Sequence, residues 1–571
     1  GRGRRRPLRT TSPGRTPAWQ PDMDAADASL LDSATASSSK IIAGSDRVAI
    51  LMALIAALAP LDFGVTLGFT SPAIIGMESG AKGSWMYGAV FDDAEVQSDH
   101  SIVSNQAALF SSMVNVGAML GALLAGPLAN TAGRKLAIAM AAVPWIVAWL
   151  GIGLGSGFGV MLTARVLSGV AVGIASVTVP LYIAETAPAS LRGALGAVNQ
   201  LAVTVGIFLV YLLGYLAQTT QPTIFTAAEM ACPAQMYNRT AGGVCETDLA
   251  PWRVLSLVGA VLALVLLLSA LLVLPETPPF LASKGRAAAA RRVLGRLRTS
   301  DVEAAEELEA MLRTQAASAS PSAATGGAAA HDEAGASLGG RSAEEMNDLA
   351  ADMPPAAPVK EGGLRGLLAP GARWPLAIGC VLMLTQQFSG VNAVIFYSSS
   401  ILRSGGIDDP NKGGLTIMAV QVVMTLLAVL LMDRAGRRVL LLVSLAGMAA
   451  SAAALAAFHL NGQQPTWLAL AALVAYIVSF SLGLGAIPWL IMGEIFPGHV
   501  RALGSSVATM LNWTCSFVVT ETFDYVRLAL GPAGTFLGFC AVCVAGFVFV
   551  AACVPETKGK SLEEIQALFQ R

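Results

Sequence analysis

The stretch Asp433-Arg434-Ala435-Gly436-Arg437-Arg438 decides the fold, because it restates Ala132-Gly133-Arg134-Lys135 from the first part of the chain. Each follows a long apolar run. Pro180-Leu-Tyr182-Ile-Ala-Glu185 is likewise answered by Pro488-Trp489 and Glu494, and an arginine, Arg192 or Arg501, stands seven residues past the glutamate in both. Pro275-Glu276-Thr277 is answered by Pro555-Glu556-Thr557. Paired marks in one order, one pair with identical internal spacing, describe a chain made of two copies of one unit.

Between these marks the chain is apolar. Of its 571 residues 54% are hydrophobic and 13% charged, with a mean hydropathy of +0.63; a soluble domain carries about 25% charge. That composition excludes a soluble enzyme. The 7 cysteines are too sparse for a disulfide scaffold and the net charge of −1 offers nothing to a nucleic acid. His100, His331, His459 and His499 stand apart from one another and from cysteine, and no phosphate-binding loop occurs, so neither metal catalysis nor ATP drive is supported and no cofactor is expected.

Roughly 20 apolar residues cross a bilayer. Runs near 48–72, 105–128, 137–157, 160–182, 195–217 and 253–274, then 374–400, 415–432, 438–459, 466–491, 502–521 and 534–554, predict an all-α membrane protein of twelve spans in two six-helix halves. The expected divisions are a tail over 1–47, halves over 48–274 and 373–554, a central loop over 275–372 and a tail over 555–571. Putting both termini in the cytoplasm leaves 29 of the 36 Lys and Arg residues on the inner side, as the positive-inside rule requires.

Three stretches lie outside the spans. Residues 1–22 have the Arg- and Ser-rich character of a transit peptide, yet Met23 is the first methionine, so they read as upstream translation. The central loop opens with basic (Arg286 to Arg298) and acidic (Glu303 to Glu309) helical stretches before an Ala/Ser/Gly linker. The outer loop 218–251 holds the sequon at Asn238 and a possible Cys232–Cys245 disulfide. Asp27-Ala-Ser-Leu30-Leu31 fits a dileucine sorting signal.

Arg165-Val-Leu-Ser-Gly169, Pro275-Glu-Thr-Pro-Pro279, Gln386-Gln-Phe-Ser-Gly-Val-Asn392 and Pro555-Glu-Thr-Lys-Gly-Lys560 together resemble the sugar-porter family of the major facilitator superfamily over about 45–568, the linker excepted. Pro60-Leu-Asp-Phe-Gly64, Ser71-Pro-Ala-Ile74 and Met432-Asp-Arg-Ala-Gly-Arg-Arg438 look most like intracellular-class animal hexose facilitators and dehydration-responsive plant sugar transporters. The resemblance implies alternating access to a central sugar site, driven passively or by protons.

Charges at span ends carry a reading of their own. Arg134, Glu185, Arg192 and Glu276 from one half, with Arg437, Glu494, Arg501 and Glu556 from the other, are expected to pair across the bundle as a cytoplasmic gate. A purely topogenic role explains the arginines but not the repeated glutamates.

A polyol calls for amides, which both donate and accept, and for aromatic faces. Gln200, Gln386, Gln387, Gln421, Asn392 and Asn512, with Trp489 and Trp513, lie at mid-span. Five of them, Gln200, Gln386, Gln387, Asn392 and Asn512, match the family's sugar-contacting positions; Gln421 stands where plasma-membrane members have Asn, and Ser481 where they have Glu. Ser389-Gly390 is expected to loosen the seventh span, and Gly483, Gly485 and Pro488 to bend the tenth. Gly117-x-x-x-Gly121 and Gly169-x-x-x-Gly173 read as packing.

Proton symporters of the family carry an Asp in the first span where this chain has Thr66. Asp62 lies one turn earlier, with Arg165 as its expected partner. The reading is a porter of monosaccharides, facilitative or proton-coupled, in a plasma or vacuolar/endosomal membrane and working as a monomer. An inositol or polyol porter and a non-transporting sugar sensor are the alternatives.

Overall fold

The computed structural model describes residues 44–79, 95–96, 102–103, 105–155, 157–188, 191–220, 223–226, 244–247, 252–298, 300–319, 364–395, 402, 410–465, 467–497, 500–558, 564–565 and 568–569. Asn238, Cys232 and the segment around Leu30 lie outside them. Cys245 sits in a short antiparallel hairpin that pairs Thr223–Thr226 with Val244–Thr247. A second hairpin pairs Glu95–Val96 with Ile102–Val103.

Among the described residues, eleven helical runs are long and apolar enough to cross a membrane: Asp46–Ile74, Asn105–Ala132, Arg134–Leu154, Phe158–Thr186, Gly193–Ala217 and Trp252–Leu272, then Gly371–Ile395, Lys412–Met432, Arg437–Leu460, Trp467–Ile495 and Leu503–Cys553. The last holds 51 residues. At about 1.5 Å per residue it is more than twice the ~30 Å hydrocarbon core. Its helix is broken at Gly531 (φ 70°, ψ 165°), just before Pro532. It therefore supplies the eleventh and twelfth spans, and the twelve-span membrane fold is complete.

Two interruptions bear on the cavity. The seventh span is helical over Pro370–Phe388, turns at Ser389-Gly390, where Gly390 takes φ +93°, and resumes helically to residue 395. The tenth runs Trp467–Leu482, breaks over 483–486 and resumes as Ile487–Ile495 with Pro488 in its first turn. Both breaks fall where the sequence placed them.

Small residues set the spacing within the N-terminal half. A Cβ built on Gly117 would lie 2.0 Å from the Val166 carbonyl oxygen, and one on Gly169 2.1 Å from that of Val114; Gly121 and Gly173 repeat this a turn further on. The second and fourth spans thus touch backbone to backbone. Gly64 and Gly206 do the same for the first and fifth. Between the halves, the second span packs on the eleventh and the fifth on the eighth. Leu120, Leu123, Leu124, Leu264 and Leu268 are exposed and present the apolar face that lipid requires.

The central loop begins with helices Pro278–Ser283, Ala287–Leu297 and Asp301–Ala319, joined by a small core of Leu281, Ala290, Leu294 and Leu308. Buried Arg298 binds Glu307 of the third helix at 2.5 and 2.8 Å and donates to the Thr186 carbonyl (3.1 Å), tying this module to the inner end of the fourth span.

Candidate functional site

A cavity of about 670 Å³ of atom-free space, part of it open to solvent, lies between the halves. Its lining includes every mid-span amide singled out above, Gln200, Gln386, Gln387, Asn392, Gln421 and Asn512, together with Trp489 and Trp513. The turn at Ser389-Gly390 lets Gln386, Gln387 and Asn392 of one span face it together.

The amides form a chain. Gln386 Nε2 donates to the carbonyls of Leu484 (2.7 Å) and Gly485 (3.3 Å), which the break in the tenth span leaves without helical partners. Asn512 donates from Nδ2 to Gln386 Oε1 (2.9 Å) and accepts on Oδ1 from Gln387 Nε2 (3.1 Å). Asn392 Nδ2 donates to Gln387 Oε1 (2.7 Å) and to Ser516 Oγ (2.5 Å). The Tyr476 hydroxyl donates to the Ser389 carbonyl (2.8 Å), holding the turn against the tenth span.

Two buried lining groups have no partner among the described residues, the Gln421 Oε1 acceptor and the Trp513 Nε1 donor. An unpaired polar atom in a low-dielectric interior costs about 1–3 kcal/mol, so the two together favour a ligand that accepts and donates without net charge. Ring faces stand beside them: Trp513 packs on Phe63 of the first span at 5.6 Å between centroids, tilted 59°.

Asn199, Phe63 and Ser176 also line the cavity, and Ser516 and Asn115 extend its amide chain. The sequence reading missed all five. Ser516 lies one turn beyond Asn512, a spacing that could have flagged it. Asn115 carried no such signal, since its neighbour comes from the other half.

The expected Asp62–Arg165 pair is corrected by the structure. Asp62 Oδ1 accepts from Trp149 Nε1 at 3.0 Å, whereas Arg165 donates to the Phe110 carbonyl (3.2 Å), to the Thr66 carbonyl (3.1 Å) and to the Thr70 hydroxyl. Thr66, at the symporters' carboxylate position, accepts from Trp145 Nε1 at 3.0 Å. Asp62 and Arg165 are both fully buried, yet neither lines the cavity. An indole meets one oxygen of Asp62, and backbone carbonyls and a hydroxyl meet Arg165, partners that a helical face diagram does not display.

The residues expected to join the halves when the pore opens outward make these bonds in the present state. Arg134 Nη2 meets Glu185 Oε1 at 2.9 Å, and Arg437 Nη2 meets Glu494 Oε1 at 3.5 Å. Glu276 accepts the backbone N–H of Arg134 (2.9 Å) and Lys135 (3.3 Å), just as Glu556 accepts those of Arg437 (3.0 Å) and Arg438 (3.1 Å). These bonds close within each half rather than across the bundle. The reason is local: Gly133 and Gly436 turn the chain so sharply that the next helix offers its unsatisfied N-terminal N–H groups to the glutamate at the end of the sixth or twelfth span. Arg501 donates to the Phe496 carbonyl at 3.4 Å, and Arg192 begins the helix Arg192–Thr220.

A family model described as "Sugar (and other) transporter" matches residues 52–328 and 340–569. The chain is 34% identical over 545 residues to "Sugar transporter ERD6-like 6" of Arabidopsis thaliana, covering 93% of each. It is 30% identical over 527 residues to "Facilitated trehalose transporter Tret1" of Apis mellifera ligustica, covering 91% of this chain and 88% of that one. The proton:xylose symporter XylE of the major facilitator superfamily, solved with 6-bromo-6-deoxy-D-glucose bound, superposes with a TM-score of 0.67 over 92% of this chain and 100% of its own, at 22% identity. At that identity the superposition shows the fold alone.

Proposed function

The chain belongs to the family of sugar (and other) transporters, and we propose that its cargo is a monosaccharide, a hexose such as glucose, carried by facilitated diffusion through the cavity between the halves. One observation supports this most: the polar groups turned to the cavity are uncharged amides and an indole N–H, with aromatic faces beside them. Several hydroxyls can be matched there without displacing a counter-charge. The halves rock about the site as bodies, each braced at its inner end by its own Arg–Glu pair and glutamate cap. Movement between the two openings requires that sugar bind the occluded form more tightly than either open form. No covalent step is involved, and the protein is a transporter rather than an enzyme.

Passive transport agrees with the placement of Asp62, which holds an indole, makes no ion pair with Arg165 and does not line the cavity. Proton symport is favoured by one observation, that Asp62 Oδ2 is buried without a partner. The distribution of Lys and Arg supports cytoplasmic termini; a plasma or vacuolar/endosomal membrane and a monomeric working unit complete the proposal.

The test is uptake of labelled glucose, fructose, galactose, xylose and inositol into proteoliposomes, with and without an inward proton gradient. Hexose uptake that stops at equilibrium is the expected result. Concentrative uptake that collapses with a protonophore and is lost in Asp62→Asn, while exchange survives, replaces the passive reading with symport. Preference for inositol replaces the hexose, and saturable binding without flux replaces transport with sensing.

A further inference from the structure

The second and eleventh spans meet along a polar seam between the halves. From the outer end inward, the Tyr525 hydroxyl donates to Asn105 Oδ1 (3.1 Å), Ser112 to Glu521, Ser516 to Asn115 Oδ1 (2.8 Å) and Thr514 to Met119 Sδ (3.0 Å). Positions ascend on one helix as they descend on the other, so these are successive rungs of an antiparallel pair. One rung differs from the rest. Ser516 Oγ also accepts from Asn392, a cavity-lining amide, so Asn115 stands at the far end of the amide chain and in the other half. Asn115 is fully buried, and its Nδ2 has no partner.

The amide chain is nearly saturated on its donor side. Both Asn392 N–H groups are engaged, on Gln387 and Ser516. Those of Asn512 go to Gln386 and Met383 Sδ, and those of Gln386 to two carbonyls. A sugar oxygen that accepts a hydrogen bond from Asn392 must therefore displace Gln387 Oε1 or Ser516 Oγ. When Ser516 is displaced its oxygen loses the Asn392 donor while its hydroxyl still donates to Asn115, and the rung weakens because linked hydrogen bonds strengthen one another.

We infer that Asn115 is a positioning residue that passes the occupancy of the cavity to the N-terminal half, by way of Ser516 and Asn392. The inference rests on the transport reading above. Asn115 touches no sugar; it sets how strongly the halves are joined beside the site, and so how the rate of rocking depends on whether the cavity is filled.

The experiment compares the full-length wild-type protein, Asn115→Leu, Ser516→Ala and the double variant in proteoliposomes. Labelled glucose is followed in equilibrium exchange and in net uptake, and affinity is read from quenching of tryptophan fluorescence. In the wild-type protein exchange outruns net uptake about fivefold, the factor that one buried hydrogen bond supplies. In each variant the two rates come within about twofold, while in Asn115→Leu glucose affinity stays within about twofold and so reports an intact fold. The double variant matches the singles because the same link is removed twice. A wild-type protein that moves no sugar overturns the transport reading, and this inference with it. A transporting wild type overturns this inference alone if exchange and net uptake are equal, if the variants keep the wild-type ratio or lose affinity and rate together, or if the double variant shows the product of the single effects.

Discussion

At their inner ends the two halves are nearly superimposable in chemistry. Gly133 and Gly436 take φ of 95° and 92°, each opens a helix, and each faces a glutamate that caps that helix from a neighbouring span. At mid-membrane they part. The N-terminal half buries a carboxylate and a guanidinium, Asp62 and Arg165, both held by indole, hydroxyl and carbonyl groups. The C-terminal half carries Gln386, Gln387, Asn392 and Asn512 in one hydrogen-bonded chain that faces the cavity. The inner ends do the same bracing work in both copies. In the middle, one half keeps its buried charges away from the cavity and the other turns a chain of amides to it.

The largest effect expected is in the amide chain that faces the cavity. Asn512→Leu removes the amide that joins Gln386 to Gln387 and leaves Gln386 Oε1 and Gln387 Nε2 without partners, a cost of about 3 kcal/mol, or about a hundredfold in uptake kcat/KM. Thr66→Val, at mid-membrane in the other half, is expected to lower the same quantity less than threefold, and equal losses would break the division of labour.

Gly133→Ala and Gly436→Ala each force alanine into a left-handed backbone conformation, and the added Cβ would lie 2.2 Å from Glu276 Oε2 in one case and 2.6 Å from Glu556 Oε2 in the other. Each is expected to lower stability by about 1–3 kcal/mol, read as paired drops in the thermal midpoint of the purified protein. A drop in one half only would show that the inner ends are not equivalent.

Glu185→Gln and Glu494→Gln sharpen the comparison further. The pair at 2.9 Å is expected to shift the inward/outward balance about fivefold and the pair at 3.5 Å about twofold, as partly buried pairs of about 1 kcal/mol or less do. The ratio of influx to efflux KM reads that balance; no change in either variant rules out a part in gating. Asp62→Asn has the smallest effect. Its amide oxygen still accepts from Trp149, and glucose exchange is expected to stay within about twofold of wild type.

Much of this architecture is visible in the sequence because it is written locally. Gly-Arg after one span and Pro-Glu-Thr after another are short strings whose repetition reveals the two copies, and Ser389-Gly390 names its own turn. The amides were visible for the same reason, since few residue types suit mid-membrane. Partnership is another matter. Arg165 is satisfied by the carbonyls of Thr66 and Phe110, which belong to every sequence and distinguish none. The Arg–Glu pairs close within a half because of which helix ends adjoin, and spacing along the chain does not fix that. Asn115 meets Ser516 only once the halves have come together.

The glycine contacts in the N-terminal half bear on how force moves through the molecule. Where Gly117 and Gly121 lie on Gly169 and Gly173, no side chains stand between the helices to slide or rotate past one another. A push delivered at one point is carried undiminished along the pair, as by a stiff lever, and a displacement of a fraction of an ångström at the seam grows with distance from the pivot. Part of the resistance it works against then lies outside the protein, in the lipid that the outer faces must push aside. Turnover should therefore track bilayer thickness and lateral pressure.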